Sequence, residues 1–177
     1  LSPHELAVGM GGTGKARDVW RVLRRGGDPF RARDLTIKTQ RFLQSHAGQG
    51  ALELKEQSVA SCGTRKLLLE LIDGLMVETV LIPNRGRLTV CVSSQVGCAR
   101  GCGFCLTATM GLKRSLDAGE IVAQVWWAFS LARRHNLGTP TNIVFMGMGE
   151  PLDNLKAVAQ SQKVLSDPWG FGFGPNR

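Results

Sequence analysis

The sequence predicts an α/β protein in which a small basic helical module precedes a core of alternating strands and helices. Three observations carry that prediction. Apolar residues recur at helical spacing through residues 1–50. From Leu67 the period shortens to that of strands, with two apolar runs about the turn Asp73-Gly74. From Leu88 onward, strand-like and helix-like segments alternate in the rhythm of a parallel sheet or barrel.

The elements follow in order. "GKARDVWRVLRR" sets Ala16, Val19, Trp20 and Leu23 on one helical face, and "LTIKTQRFLQ" does the same with Leu35, Thr39, Phe42 and Leu43. Between them "GGDPF" is a break. Inside this module "GMGGTGKA" imitates a phosphate-binding loop, but Ala16 stands where a hydroxyl is needed and no buried strand precedes it, so a glycine-rich break before a helix is the better reading. Residues 51–87 form a linker and a β-hairpin, "LLLELIDGLMVETVLIP". In "RLTVCVSS", Leu88, Val90 and Val92 alternate with Thr89, Cys91 and Ser93, which turns the Cys91 thiol away from the purely apolar face. A helix then opens on the N-cap Asp117 with Glu120 three residues on, and carries the stripe Ile121, Val122, Val125, Trp126 and Phe129. Trp126 reads as packing, while Trp127 is open between packing and base stacking. "TNIVFMG" is a strand buried on both faces, with Met146 and Met148 as ordinary apolar residues. A last helix turns Leu155, Val158 and Leu165 inward. The expected division is 1–50, 51–87 and 88–177.

Lys and Arg number 22 against 14 Asp and Glu, a net charge of +8 that is densest in residues 15–41. Such a bias favours a polyanionic partner, nucleic acid before membrane surface. No run of about eighteen apolar residues and no leader pattern occurs, so neither a membrane span nor secretion is expected. The expected location is the cytoplasm, or an organelle if a leader has been lost. Four of the five cysteines crowd into residues 91–105. An odd number packed into one loop argues against a disulfide framework and for metal or redox chemistry in a reduced compartment.

Cys98, Cys102 and Cys105 have the spacing C-x3-C-x2-C directly after a strand. Three thiolates on a short loop can each hold one iron of a 4Fe-4S cluster and leave the fourth iron open. Gly97, Gly101 and Gly103 let the backbone curl around it. A structural zinc site wants four ligands, and the only further candidate, Cys91, lies seven residues upstream in a strand with no histidine near. Cys62 stands alone as a free thiol, and His4, His46 and His135 are isolated from the loop.

With Phe104 before its last cysteine, the motif resembles that of the radical S-adenosylmethionine (SAM) enzymes. "VETVLIP", "CVSSQVGC", "FC", "AGEIV" and "MGMGEPLDN" together narrow the resemblance to the RlmN/Cfr family, which methylates an adenine carbon of ribosomal RNA and, in its RlmN branch, of transfer RNA. The front half is similar to that family's accessory helical module. The resemblance implies the amino-terminal half of a radical SAM partial (β/α) barrel, with a 4Fe-4S cluster on Cys98, Cys102 and Cys105 and SAM contacts at Gly149 and Glu150. It also implies Cys91 as the catalytic cysteine that releases the product through a disulfide, and Glu78 as general base for the ring proton, in a partly buried setting that raises its pKa.

By the same resemblance the substrate is adenine C2 of 23S rRNA and transfer RNA, the electron donor is a flavodoxin or ferredoxin, and the enzyme is a monomer without membrane association. Family members are roughly twice this length. The residues for SAM's ribose and adenine and the methyl-carrying cysteine belong to the other half, and no cysteine follows Cys105. The chain is therefore expected to be a fragment, able to hold a cluster but not to methylate RNA unaided. Two alternatives stand beside this reading: another radical SAM enzyme, such as a Cfr-like one acting at adenine C8, and a zinc-stabilised RNA-binding module without catalysis.

Overall fold

The computed structural model describes residues 2–46 and 52–174. The expected boundary at residue 50 lies outside the described residues. Three helices open the chain, α1 (Pro3–Gly9), α2 (Thr13–Arg24) and α3 (Ile37–His46). The first was not foreseen: Pro3 and Glu5 argue against a strand, and they are the marks of a helix start. Pro3 occupies the first turn, and Ser2 and Glu5 close a capping box with bonds of 3.2 and 2.7 Å. The glycine-rich segment thus joins two helices and follows no strand. Ala16, Val19 and Trp20 of α2 are buried as their spacing predicts.

Five strands make one sheet in the order β1 (Glu53–Val59), β2 (Arg65–Glu70), β3 (Met76–Asn84), β4 (Arg87–Cys91) and β7 (Asn142–Val144). The architecture is α/β as expected, but the sheet is mixed. β1 to β4 run antiparallel, and the β4–β7 pair alone is parallel. β1 was not foreseen because it is an edge strand exposed along most of its length, so it lacks the alternation that marks a half-buried strand. β7 is only half-buried, against the expectation of a strand covered on both faces, because it is the other edge of this sheet.

The registers assign the two faces. Leu67, Leu69, Val77, Thr79, Leu81, Leu88 and Val90 lie on one face, nearly inaccessible. Helix α5 (Ala118–Arg134) contributes Ile121, Val125 and Ala128 to the same core. Truncating Ile121 to alanine there would cost about 2–5 kcal/mol. The opposite face carries Lys66, Leu68, Glu78, Val80 and Cys91. Both tryptophans of α5 are packing residues: Trp126 Nε1 donates to Gly27 O at 3.0 Å, and Trp127 Nε1 donates to Leu52 O at 2.8 Å. In α6 (Leu155–Ser166), Leu165 is buried and Val158 half-buried, whereas Leu155, expected inward, is 59% exposed. The segment after α6 folds back so that Phe171 meets Trp20 and Phe129 at 5.6 and 5.1 Å. Among the described residues no helix is long and apolar enough to cross a membrane.

Candidate functional site

Beyond β4 the chain forms a loop with a closed neck. The short strands β5 (Gln95–Val96) and β6 (Arg114–Ser115) pair antiparallel, and Lys113 N donates to Val96 O at 2.9 Å. Gly97 sits at φ +74°, where an added Cβ would stand 1.8 Å from Gly111 O, so the two sides of the neck approach too closely for any side chain. The loop so closed holds Cys98 and Cys105, both half-buried, and Cys102, exposed, all three free thiols. Cys105 precedes the one-turn helix α4 (Leu106–Thr109), and the backbone N–H groups of Ala108 and then Thr107 pull its thiol below the ordinary value, against slight burial. Phe104 and Leu106 beside it are 95% and 82% exposed.

The structure places these cysteines on one loop but does not draw them to a common point. Among the described residues no three His, Cys, Asp or Glu side chains converge as metal ligands. Cys91, the only candidate for a fourth zinc ligand, therefore does not join them. The donor set nonetheless suits a thiophilic cluster: three unpaired thiols within eight residues, one already lowered in pKa, on a loop whose neck is fixed.

A second loop, after β7, is bonded to that neck. Ser94 N donates to Met148 O at 2.9 Å, Gly147 N to Val92 O at 3.1 Å, and Met148 N to Ser93 Oγ at 2.9 Å. Glu150 N donates to the buried Gln95 Oε1 at 3.0 Å. Gly149 has φ +94°, and a Cβ there would lie 2.5 Å from Gln95 Cβ. Gly149 and Glu150 are thus set against the neck of the cysteine loop. Glu150 also caps the following 3-10 turn (Pro151–Asn154) by accepting from Leu152 N at 3.0 Å through Oε1. Asn154 Nδ2 donates to Ser94 O and Leu116 O, both at 2.8 Å, and the Arg100 guanidinium forms a two-pronged ion pair with Asp153. Of the two methionines expected to be ordinary apolar residues, Met148 is buried but Met146 is 79% exposed.

Cys91 ends β4 opposite Val144 of β7 and Val80 of β3. It is buried, which raises its thiol above the ordinary value, with the Met146 N–H acting weakly the other way. Glu78 lies on the same sheet face two residues from Val80. Its carboxylate is 2.9 Å from Lys66 Nζ and 40% exposed, and that bond raises Lys66. Backbone, not side chain, connects Glu78 to the loops: Ser93 Oγ donates to Glu78 O at 2.6 Å.

Several residues of this arrangement escaped the sequence reading. Gln124, fully buried in α5, accepts from Thr79 Oγ1 and Ser93 N at 2.9 and 2.8 Å and donates to Ser93 O at 3.0 Å. Its signal was available, since a glutamine three residues from Ile121 and one before Val125 falls inside the apolar stripe. Arg114 grips Glu120 with both terminal nitrogens, at 2.9 and 2.8 Å, and Asp73 at 2.6 Å, so it ties the neck to the cap of α5. Nothing in sequence pairs these three.

Comparison with known proteins fits this geometry. No family model matches the chain. A crystal structure of a radical SAM methyltransferase from Sphaerobacter thermophilus superposes with a TM-score of 0.86 and 37% identity, covering 100% of this chain and 54% of that one. The fold is accordingly that of the matched half of a radical SAM methyltransferase. Among curated relatives, the dual-specificity RNA methyltransferase RlmN of Geotalea uraniireducens (strain Rf4) is 42% identical across 98% of this chain and 51% of its own length. That of Campylobacter jejuni (serotype O:2) is 49% identical across 65% of this chain and 36% of its own. A probable RNA methyltransferase of Sorangium cellulosum (strain So ce56) is 50% identical over 71% and 32%. The chain belongs to the RlmN/Cfr family and spans about a third to a half of the length of these relatives.

Proposed function

We propose that the protein is a radical SAM RNA methyltransferase acting on adenine C2 of 23S rRNA and transfer RNA, with this chain carrying the cluster loop and part of the catalytic set. The observation that supports it best is the trio of free thiols on one loop, fixed at its neck and bonded to the loop of Gly149 and Glu150. A 4Fe-4S cluster held there would supply the electron that cleaves SAM to methionine and a 5'-deoxyadenosyl radical, a hydrogen abstractor able to turn an S-methyl group into the carbon radical that adds to an electron-poor ring carbon.

The residues of the chain have separate tasks in this reading. Cys98, Cys102 and Cys105 hold the cluster as thiolates. Glu150 caps Leu152 through Oε1, which leaves Oε2 to accept from the ammonium of SAM's methionine, while Gly149 allows close backbone approach. Cys91 frees the product by attacking the methyl-bearing sulfur and closing a disulfide, and the Met146 N–H is placed to favour its thiolate. Glu78 takes the ring proton once RNA has displaced Lys66. The proposal further includes a flavodoxin or ferredoxin donor, a cytoplasmic monomer, and the division 1–50, 51–87 and 88–177.

Anaerobic reconstitution of the 177-residue chain with iron and sulfide tests this. The expected product binds about four irons per chain and is brown. Replacing Cys98, Cys102 or Cys105 by alanine should abolish it, and replacing Cys62 or Cys91 should not. A colourless protein that binds zinc in place of iron and sulfide would overturn the reading.

A further inference from the structure

At the end of the sheet opposite the cysteine loop lies a cleft that the proposed chemistry does not use. Helix α5 starts beside the neck, where Leu116 N donates to Ser94 O, and runs 17 residues to Arg134. Its far end is therefore about 25 Å away. There the C-terminal ends of α2 and α5 and the 136–141 segment enclose two adjoining cavities of about 520 and 660 Å³ that share Arg24, Arg25 and Pro140. Arg21 adds to one and Arg133 to the other.

Arginine at a helix C-terminus has an ordinary explanation, the exposed carbonyls of the last turn. It accounts for part of this cluster only. Arg24 reaches Pro168 O at 3.1 Å and Arg21 pairs with Asp18 at 2.8 Å, but Arg25 and Arg133 have no carboxylate or carbonyl partner among the described residues. Asp34 is the one carboxylate among the described residues of the lining. Four guanidinium groups around a concave wall, one of them paired with Asp18 and with Asp34 the one carboxylate of the lining, leave a net local positive field in which a planar, two-pronged donor matches phosphate oxygens.

We infer that this cleft is a second RNA-binding site, gripping the phosphodiester backbone of a segment about 25 Å from the target base. The inference rests on the proposed RNA substrate. An RNA that presents its base to the cysteine loop and also fills this cleft must extend about 25 Å, which a folded RNA does and a free nucleotide cannot. Its role is anchoring: it reads backbone charge and leaves base choice to the far loops.

Fluorescence anisotropy of a short labelled hairpin RNA with the cluster-free 177-residue chain, measured over a series of salt concentrations, tests the site. Arg25→Gln with Arg133→Gln should weaken binding about tenfold and lower the salt slope by roughly 1.5. Lys156→Gln with Lys163→Gln removes the same charge from α6 and should change affinity less than twofold. Asp34→Asn should tighten binding, a gain that misfolding cannot mimic. Equal loss in both double variants would reduce the effect to net charge and overturn the inference, as would an unchanged Asp34→Asn. If the wild-type chain binds vesicles of anionic phospholipid through these arginines and does not bind the RNA, the inference fails. Cluster loading, measured separately, would still judge the proposed chemistry.

Discussion

Replacing Gly149 by alanine measures how tightly the second loop is held against the neck. Its φ of +94° lies in a region that side-chain-bearing residues rarely adopt, a strain of about 1–3 kcal/mol. A Cβ would also stand 2.5 Å from Gln95 Cβ and 2.8 Å from Gln95 N, where the obstacle is backbone and the root of a buried side chain, so neither can swing aside. Overpacking of that kind typically costs a further ~1–3 kcal/mol. Gly138 supplies the control, because it has φ +84° with nothing within 4 Å of an added Cβ and therefore suffers strain alone. Gly149→Ala should be less stable than Gly138→Ala by about 1–3 kcal/mol, which at a slope near 2 kcal/mol/M lowers the urea midpoint by roughly 0.5–1.5 M. The four tryptophans report the transition. Equal midpoints for the two variants would refute the close packing that fixes the candidate SAM-binding loop to the cysteine loop.

Gln124→Leu should destabilise the chain by about 3–9 kcal/mol, since it strands three buried partners, each costing about 1–3 kcal/mol, and Thr79→Val on that background should cost less than it does alone, by urea unfolding of the double-mutant cycle. In metal-free protein, alkylation mapped by mass spectrometry across a pH series should reach Cys62 and Cys105, whose thiols the Thr64 hydroxyl and the Ala108 N–H lower, before Cys91, whose thiol burial raises; labelling of Cys91 together with the other two would contradict these assignments. The Arg114 hydrogen bond holds the Asp73 carboxyl below its ordinary 3.8, so its contribution to stability is complete above that value and is lost as pH falls through the lowered one. Asp73→Asn should therefore flatten the acid limb of a stability–pH curve without altering its neutral plateau's shape. Gly97→Ala should open the neck against Gly111 O and abolish cluster loading while the α5 core still melts cooperatively by circular dichroism.

What could be read from sequence was the periodic part of the molecule. The hairpin about Asp73-Gly74, the alternation through β4 and the capping box of Asp117 and Glu120 each have a local signature, and each forms as expected. The edges were not legible. β1 carries no apolar face, and β7 reads as fully buried because its composition is apolar although one side has no strand beside it. The cysteine spacing identified the loop, but the residues that hold the loop in place bond across long sequence separations. Gln95 meets Glu150 and Asn154 meets Leu116, and single-sequence reasoning has no term for such pairs. Glu78 was expected in a setting that favours its protonated form; the structure instead gives it an ammonium neighbour, because Lys66 lies on the adjacent strand of the same face.

The four clustered thiols share fifteen residues, the proposed chemistry asks two different things of them, and their surroundings differ accordingly. A cluster ligand has to be a thiolate, and a thiol with N–H donors aimed at it and little burial is poised to become one. Cys105 at the start of α4 meets that description. A thiol that releases product by disulfide exchange must stay out of the cluster and resist oxidation until a sulfur partner arrives, and burial in low dielectric, which disfavours its charged form, does both. Cys91, one strand residue below the loops and covered by the β4–β7 pair, meets the second description. The Met146 N–H beside it acts weakly against that burial. Strand alternation is what makes the sorting work: it puts Cys91 on the sheet face of Glu78, while the chain two residues on, at Ser93, is already bonded into the loop lock.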